Sequence, residues 1–364
     1  MTLSLYFTTR FLKMVLQVLL IFFGILMLTD MVEQLRRFSS QDISLTGAAT
    51  LALLNVPANL YRILPLIFIL AAIALFLSLA KSSELVVVRA SGRSGLRFLL
   101  APVMTALVLG MFVVAVINPL IAATSKEYDL LYARQASGKE SVLSLSENGL
   151  WLRQGGAEGQ TVIKAARADG DGTRLFGVTF LIYDVQGTPI QRIEAEEATL
   201  HPGQWALVDA KYWDLTAPNP EVTATREPNA NLPSELTRDR IRDSFGDPSA
   251  IPIWSLPGYI AKLEQAGFSA RAHRVWLQME MALPLLLAAM VLIAAGFTMR
   301  HARVGKTGQM VLLALAGGFA IFFLRNFAQV LGVNGQIPVY LAAWSPPVAA
   351  VLLSLGLLLH LEDG

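Results

Sequence analysis

Six apolar stretches, three on either side of a long polar segment, constrain this chain more than any other feature. The hydrocarbon core of a bilayer asks for roughly 20 consecutive apolar residues per helix. Phe11–Met31, Ala58–Ala80, Phe98–Leu120, Trp276–Met299, Met310–Leu331 and Leu341–Leu361 meet that requirement. Only 15% of the 364 residues are charged, against about a quarter in a soluble domain, so the dominant solvent of these stretches is lipid. Charge is also unevenly placed. Residues 121–275 carry 16 Lys and Arg against 20 Asp and Glu, whereas the remainder carries 13 against 7. A basic membrane part therefore surrounds a mildly acidic insertion. No basic run suggests nucleic acid, and with no cysteine there can be no disulfide, thiolate metal site or cysteine nucleophile. The first stretch is too long for a cleaved leader and reads as a span.

Lysines and arginines in short loops set the orientation. Arg10 and Lys13 precede the first span; Lys81, Arg89, Arg93 and Arg97 lie between the second and third; Arg300, Arg303 and Lys306 lie between the fourth and fifth. On the other side, Arg36 and Arg37 are offset by Glu33 and Asp42, and Leu331–Leu341 carries no charge. Both termini are expected in the cytoplasm and the insertion outside it.

The predicted layout is an α-helical membrane protein of six spans, arranged three plus three, with an inserted antiparallel β-jellyroll domain. Spans one to three occupy 1–124, the β domain 125–250, a connecting helix 251–275 and spans four to six 276–364. Strand signals in the insertion are Gly177–Asp184, Ile190–Ala195 and Ala206–Trp213, separated by turn clusters such as Gln186-Gly187-Thr188 and His201-Pro202-Gly203. Trp151, Trp205 and Trp213 are expected in its core. Leu256–Ala266 has helical spacing and stops at Gly267.

Motifs of catalysis are missing. Gly305-Lys306-Thr307 looks like the end of a phosphate-binding loop, but the glycine required five residues earlier is Arg300, and a span precedes it instead of a strand. His201, His273, His301 and His360 are scattered without metal-ligand spacing. No catalysis, metal or cofactor is expected in this chain. The segment 82–93 is more telling. It is short, apolar and opened by Ser82, Ser83 and Glu84, a helix-start composition too brief to span again. Such a helix lies in the interface or docks on a partner, with Glu84, Leu85, Val88 and Arg89 as its candidate contacts. At the opposite membrane level, Arg36, Arg37, Arg62 and Arg325 are candidates for an anionic headgroup if they converge.

Four motifs carry a family resemblance: Val32-Glu33-Gln34-Leu35-Arg36-Arg37, Asn55-Val56-Pro57, Ser83-Glu84-Leu85-Val86-Val87-Val88-Arg89-Ala90-Ser91-Gly92 and Gly149-Leu150-Trp151. With the layout, they make the whole chain resemble the LptF/LptG family of lipopolysaccharide export permeases, its LptG-type branch more than its LptF-type one. The resemblance implies a bacterial inner-membrane subunit that pairs with an LptF-type permease. A cytoplasmic LptB-type dimer would bind and hydrolyse ATP, and an LptC-type single-span protein would join. The cargo would be lipopolysaccharide, extracted from the inner membrane and passed to a periplasmic jelly-roll bridge. Residues 82–93 would be the coupling helix, with Glu84 on the ATPase, and Arg36 and Arg37 would face the lipid A phosphates. Better-known members carry lysines where this chain has Asp30 and Glu280. The alternatives are an LptF-type subunit, a membrane-anchored scaffold whose β domain binds a partner, and an intramembrane enzyme.

Overall fold

The computed structural model describes residues 2–39, 44–82, 84, 95–135, 143–146, 149–156, 159–169, 172–237, 241, 247–299 and 307–362. They form two compact units. One comprises 1–137, 249–254 and 271–364, and the other 138–248 and 255–270.

Six helices of the first unit are long and apolar enough to cross a membrane. Helix α1 runs without interruption over Thr2–Arg37, about 54 Å at 1.5 Å per residue. It outlasts the hydrocarbon and carries Arg36 and Arg37 beyond it. Helix α2, Leu45–Arg62, starts at Ser44, whose side chain accepts a hydrogen bond from the Gly47 amide. The second span is shorter than expected. Ala58–Arg62 belongs to α2, and the span is a separate helix, α3, Leu64–Lys81. Pro65 explains the break, because it cannot donate to the Tyr61 carbonyl and clashes with it.

The third span differs in the opposite sense. Helix α4, Gly95–Phe112, passes through a π-helical turn at Val113–Ile117 into α5, Asn118–Gln135. The expected boundary at residue 124 therefore falls inside a continuous helical rod. Pro119 causes the π turn. It has no N–H for the Ala115 carbonyl four residues back, and the Asn118 amide bonds to the Val113 carbonyl instead. The fourth span also begins earlier than expected, in α7, Arg271–Thr298. It is followed by α8, Thr307–Val333, and α9, Val339–Glu362.

Helix α7 is the axis of this unit. Its most apolar window is 78% buried within the chain, against 11% for α1 and 11% for α8. It packs on α3, α4, α8 and α9. Ala288, Ala289, Ala294, Ala295 and Gly296, all buried on α7, let its neighbours come close where lipid supplies no hydrophobic drive.

The second unit is a seven-stranded antiparallel sheet with strands in sequential order. They are β1 Leu143–Ser146, β2 Gly149–Gly156, β3 Gly159–Ala168, β4 Arg174–Tyr183, β5 Pro189–His201, β6 Gln204–Asp214 and β7 Thr225–Pro233. The β insertion is as expected, and the order refines the jelly-roll expectation to an up-and-down meander. Gly187 and Gly203, both at φ 85°, make the tight turns into β5 and β6. Of the three tryptophans only Trp205 is in the core, edge-on to Phe180 at 6.3 Å. Trp151 and Trp213 are half-buried under cations: Lys164 covers Trp151, and Arg192 and Lys211 cover Trp213. The connecting helix α6, Leu256–Gln265, is shorter than expected and belongs to this unit. The Ala168 amide bonds to the Ala266 carbonyl at 2.9 Å, and Gly267, at φ 90°, passes so close to β3 that a Cβ would meet the Ala168 oxygen.

Close packing of α4 on α7 is testable. A Cβ on Gly110 would lie 2.6 Å from the Pro284 Cα, whereas one on Gly24 meets nothing within 4 Å. Gly110→Val is expected to destabilise the protein by about 1–3 kcal/mol, and Gly24→Ala to leave it unharmed, read by thermal unfolding in detergent.

Candidate functional site

Two polar groupings and one buried carboxylate stand out in the membrane unit. The first joins the start of α1 to the end of α3. Arg10 Nη1 donates to Glu84 Oε1 at 2.7 Å and to Oε2 at 3.0 Å, and also to the Tyr6 hydroxyl at 2.6 Å. Its Nη2 donates to Ser78 Oγ at 2.7 Å. Tyr6 and Ser82 in turn donate their hydroxyls to Glu84, at 3.2 and 2.7 Å. Burial pushes the Glu84 carboxyl up, but the hydrogen bonds from Arg10 and Ser82 outweigh it and hold it below the usual carboxylate range. Glu84 is therefore already engaged inside its own chain. Leu85, Val88 and Arg89 lie outside the described residues. Arg10 was legible in sequence only as a topology charge; nothing local marks a partner 74 positions away.

The second grouping lies at the far end of α1. Glu33 sits between two cations, with Arg36 at 2.8 Å and Arg37 at 3.1 Å. Arg37 also donates to the Tyr132 hydroxyl at 3.2 Å and lies over its ring, 5.9 Å from the centroid. One turn back, Asn55 donates to Asp30 at 2.8 Å, and Gln34 donates to the Tyr128 hydroxyl at 3.0 Å. The helical spacing i, i+3 and i, i+4 makes the Glu33 pairs predictable. The partners on α2 and α5 are not.

The buried carboxylate is Glu280 on α7, 1% exposed. Its Oε2 accepts from the Tyr61 hydroxyl and, at 3.3 Å, from Asn118 Nδ2. Its Oε1 has no partner among the described residues, and the Arg325 guanidinium is near enough to attract it. Asn118 Oδ1 accepts the Ile253 amide at 3.0 Å, and Trp254 Nε1 donates at 2.9 Å to Ala115, the carbonyl Pro119 leaves without a helical donor. The return segment 249–254 is thus bonded to the π turn.

The four arginines do not share one set of neighbours. Arg36 and Arg37 share Glu33, and Arg325 faces Glu280 and Tyr61. Arg62, exposed at the end of α2, has no hydrogen bond or ion pair among the described residues. Nothing local in the sequence marks Glu280 as the acceptor for Tyr61 and Asn118, which lie 219 and 162 positions away.

The family model for the lipopolysaccharide export system permease LptF/LptG matches residues 5–360. The chain belongs to the LptF/LptG family. It is a permease subunit for lipopolysaccharide export, resident in a membrane through several spans and not itself a catalyst. Among its relatives is the lipopolysaccharide export system permease protein LptG of Escherichia coli K12, 28% identical over 332 residues, 90% of each chain. The protein of the same name in Haemophilus influenzae is 23% identical over all of this chain and 99% of its own. The whole-length match covers both sets of spans and the β insertion, so an export system with further components is implied for the family member as a whole.

Two outcomes follow from the geometry. Because the Glu84 carboxyl titrates below its ordinary value when folded, its ion pair stabilises the protein at neutral pH. That contribution is lost only as pH falls through the lowered folded value. Glu84→Gln should cost about 0.5–1 kcal/mol at pH 7, Arg10 and Glu84 being partly exposed and screened. Read from melting temperature against pH, the difference from the parent should begin to shrink as pH falls below the ordinary glutamate value of about 4.3 and vanish only below the lowered folded value. Glu280→Ala should cost about 1–3 kcal/mol by leaving the Tyr61 hydroxyl and the Asn118 amide without their shared acceptor. Tyr61→Phe in the same chain should add less than its own separate cost, as a double-mutant cycle would register.

Proposed function

We propose that the chain is the LptG-type half of a heterodimeric lipopolysaccharide exporter, paired with an LptF-type permease. An LptB-type ATPase dimer drives it from the cytoplasm, and an LptC-type single-span protein joins it. The reading is carried by the family match across residues 5–360, taken with relatives that bear the LptG name. ATP is bound and hydrolysed by the partner ATPase, and this chain holds no cofactor. Both termini lie in the cytoplasm and the β insertion in the periplasm of a bacterial inner-membrane protein, a reading supported by the lysines and arginines of the loops 81–97 and 300–306.

Residues 82–93 then receive force from the ATPase. Glu84, tied to Arg10, Tyr6 and Ser82, anchors the start of that segment to the first span, and Leu85, Val88 and Arg89 make the contact with the ATPase. At the other membrane level Arg36, Arg37, Arg62 and Arg325 are the candidates for the anionic headgroup of the cargo. Arg62 is exposed and Arg36 is 78% exposed, so these two offer their charge first. Arg37 has to leave Glu33, and that exchange gives the site a way to release its cargo. The spans gather lipopolysaccharide from the inner membrane, and the β insertion passes it to a bridge of similar domains toward the outer membrane.

Reconstitution with the three partners in proteoliposomes tests this. Leu85→Asp should leave the chain in the membrane but cut lipopolysaccharide-stimulated ATP hydrolysis about tenfold or more, the loss of one buried apolar contact. Arg36→Glu with Arg62→Glu should reduce crosslinking of lipopolysaccharide to the spans. Unchanged ATP-driven transfer with both sets of substitutions would sink the assignment.

A further inference from the structure

A cavity of about 620 Å³ opens where α1 and α3 meet, lined by Arg10, Ala74, Leu77, Ser78, Lys81 and Ser82. It lies beside the Arg10–Glu84 pair but is distinct from it in what it offers. Arg10 commits Nη1 to Tyr6 and Glu84 and one Nη2 hydrogen to Ser78. A guanidinium has five N–H donors, and Arg10 Nε makes no hydrogen bond among the described residues. Ser78 Oγ accepts from Arg10, and its own proton meets no acceptor among the described residues. Lys81 is exposed, with no ion pair among the described residues. The unspent charged capacity here is therefore all donor, alongside only the neutral hydroxyl lone pairs of Ser78 and Ser82.

Charge agrees with the donor count. Arg10 and Lys81 bring two positive charges and Glu84 one negative, leaving an excess of one, which suits a singly charged anion. One turn further along α3 the wall becomes apolar, with half-buried Ala74 and Leu77 facing the cavity. A donor-rich rim above an apolar wall, at the mouth of two spans, matches a phosphodiester with an acyl chain below it. Basic pockets between transmembrane helices take anionic lipid headgroups in this manner.

We propose that this cavity binds the phosphate group of an anionic phospholipid. The phosphate bridges Lys81 Nζ and Arg10 Nε, with Ser78 donating its hydroxyl, and the acyl chain lies on Ala74 and Leu77. Because Arg10 keeps Nη1 on Glu84 throughout, the bound lipid holds the guanidinium in place and firms the start of the segment that follows α3. Free phosphate has the same recognition chemistry but no use for the apolar wall.

The test is native mass spectrometry of the full chain. The chain is purified from mixed vesicles of phosphatidylglycerol and phosphatidylcholine, in parallel with melting curves in inorganic phosphate. The parent should retain phosphatidylglycerol over phosphatidylcholine. Lys81→Ala should lower that preference about fivefold, the size of one juxtamembrane cation. Leu77→Trp, which fills the wall without altering charge, should lower retention as well. Equal melting temperatures for parent and variants without lipid exclude misfolding as the cause. Stabilisation by inorganic phosphate alone, lost in Lys81→Ala but kept in Leu77→Trp, would replace the lipid with a soluble phosphate and overturn the lipid assignment. No preference for phosphatidylglycerol in the parent, or one that survives both substitutions, would overturn the site.

Discussion

A backbone carbonyl without a donor is expensive near hydrocarbon, and the membrane unit turns on how one such carbonyl is satisfied. Pro119 has no N–H to give Ala115, so the third span takes a π turn at Val113–Ile117, and the indole of Trp254 supplies the missing donor. The same turn aims Asn118 at two targets, the Ile253 amide and the Glu280 carboxylate. One residue without an amide proton thereby sets the place where the chain returns to the membrane unit. It also sets the partner of the acid on α7. Helix α7, which packs on four others, gathers the remaining spans around that point.

Charge is handled by pairing rather than by exclusion. Glu33 holds Arg36 and Arg37, and Glu84 holds Arg10. Any anion approaching Arg36 or Arg37 competes with the Glu33 carboxylate already present. Arg62 and Lys81 are the contrast. Each is exposed and without an ion pair among the described residues, one at the end of α2 and the other at the end of α3.

How much was legible beforehand depended on whether a signal was local. Apolar runs are local, so all six spans were found, but their ends moved wherever a proline redirected the backbone: Pro65 shortened the second span, and Pro119 let the third run on to Gln135. The strands around Gly187 and Gly203 were found because turn chemistry is local too. Burial of tryptophans was not. Trp205 and Trp213 sit at opposite ends of one strand, and only neighbours on other strands decide that the first meets Phe180 and the second lies under Arg192.

The sequence by itself determined the solvent of each segment, the three-plus-three layout around a β insertion, and the family. Hydropathy, turn residues and short motifs are all written within a few positions of one another. Tertiary structure alone decided that Glu84 reaches back 74 residues to Arg10, that Glu280 answers Tyr61 across 219, and that Arg36, Arg37, Arg62 and Arg325 have different company. Those pairings depend on which faces of the helices meet, and helix faces meet through packing that no local stretch of residues encodes.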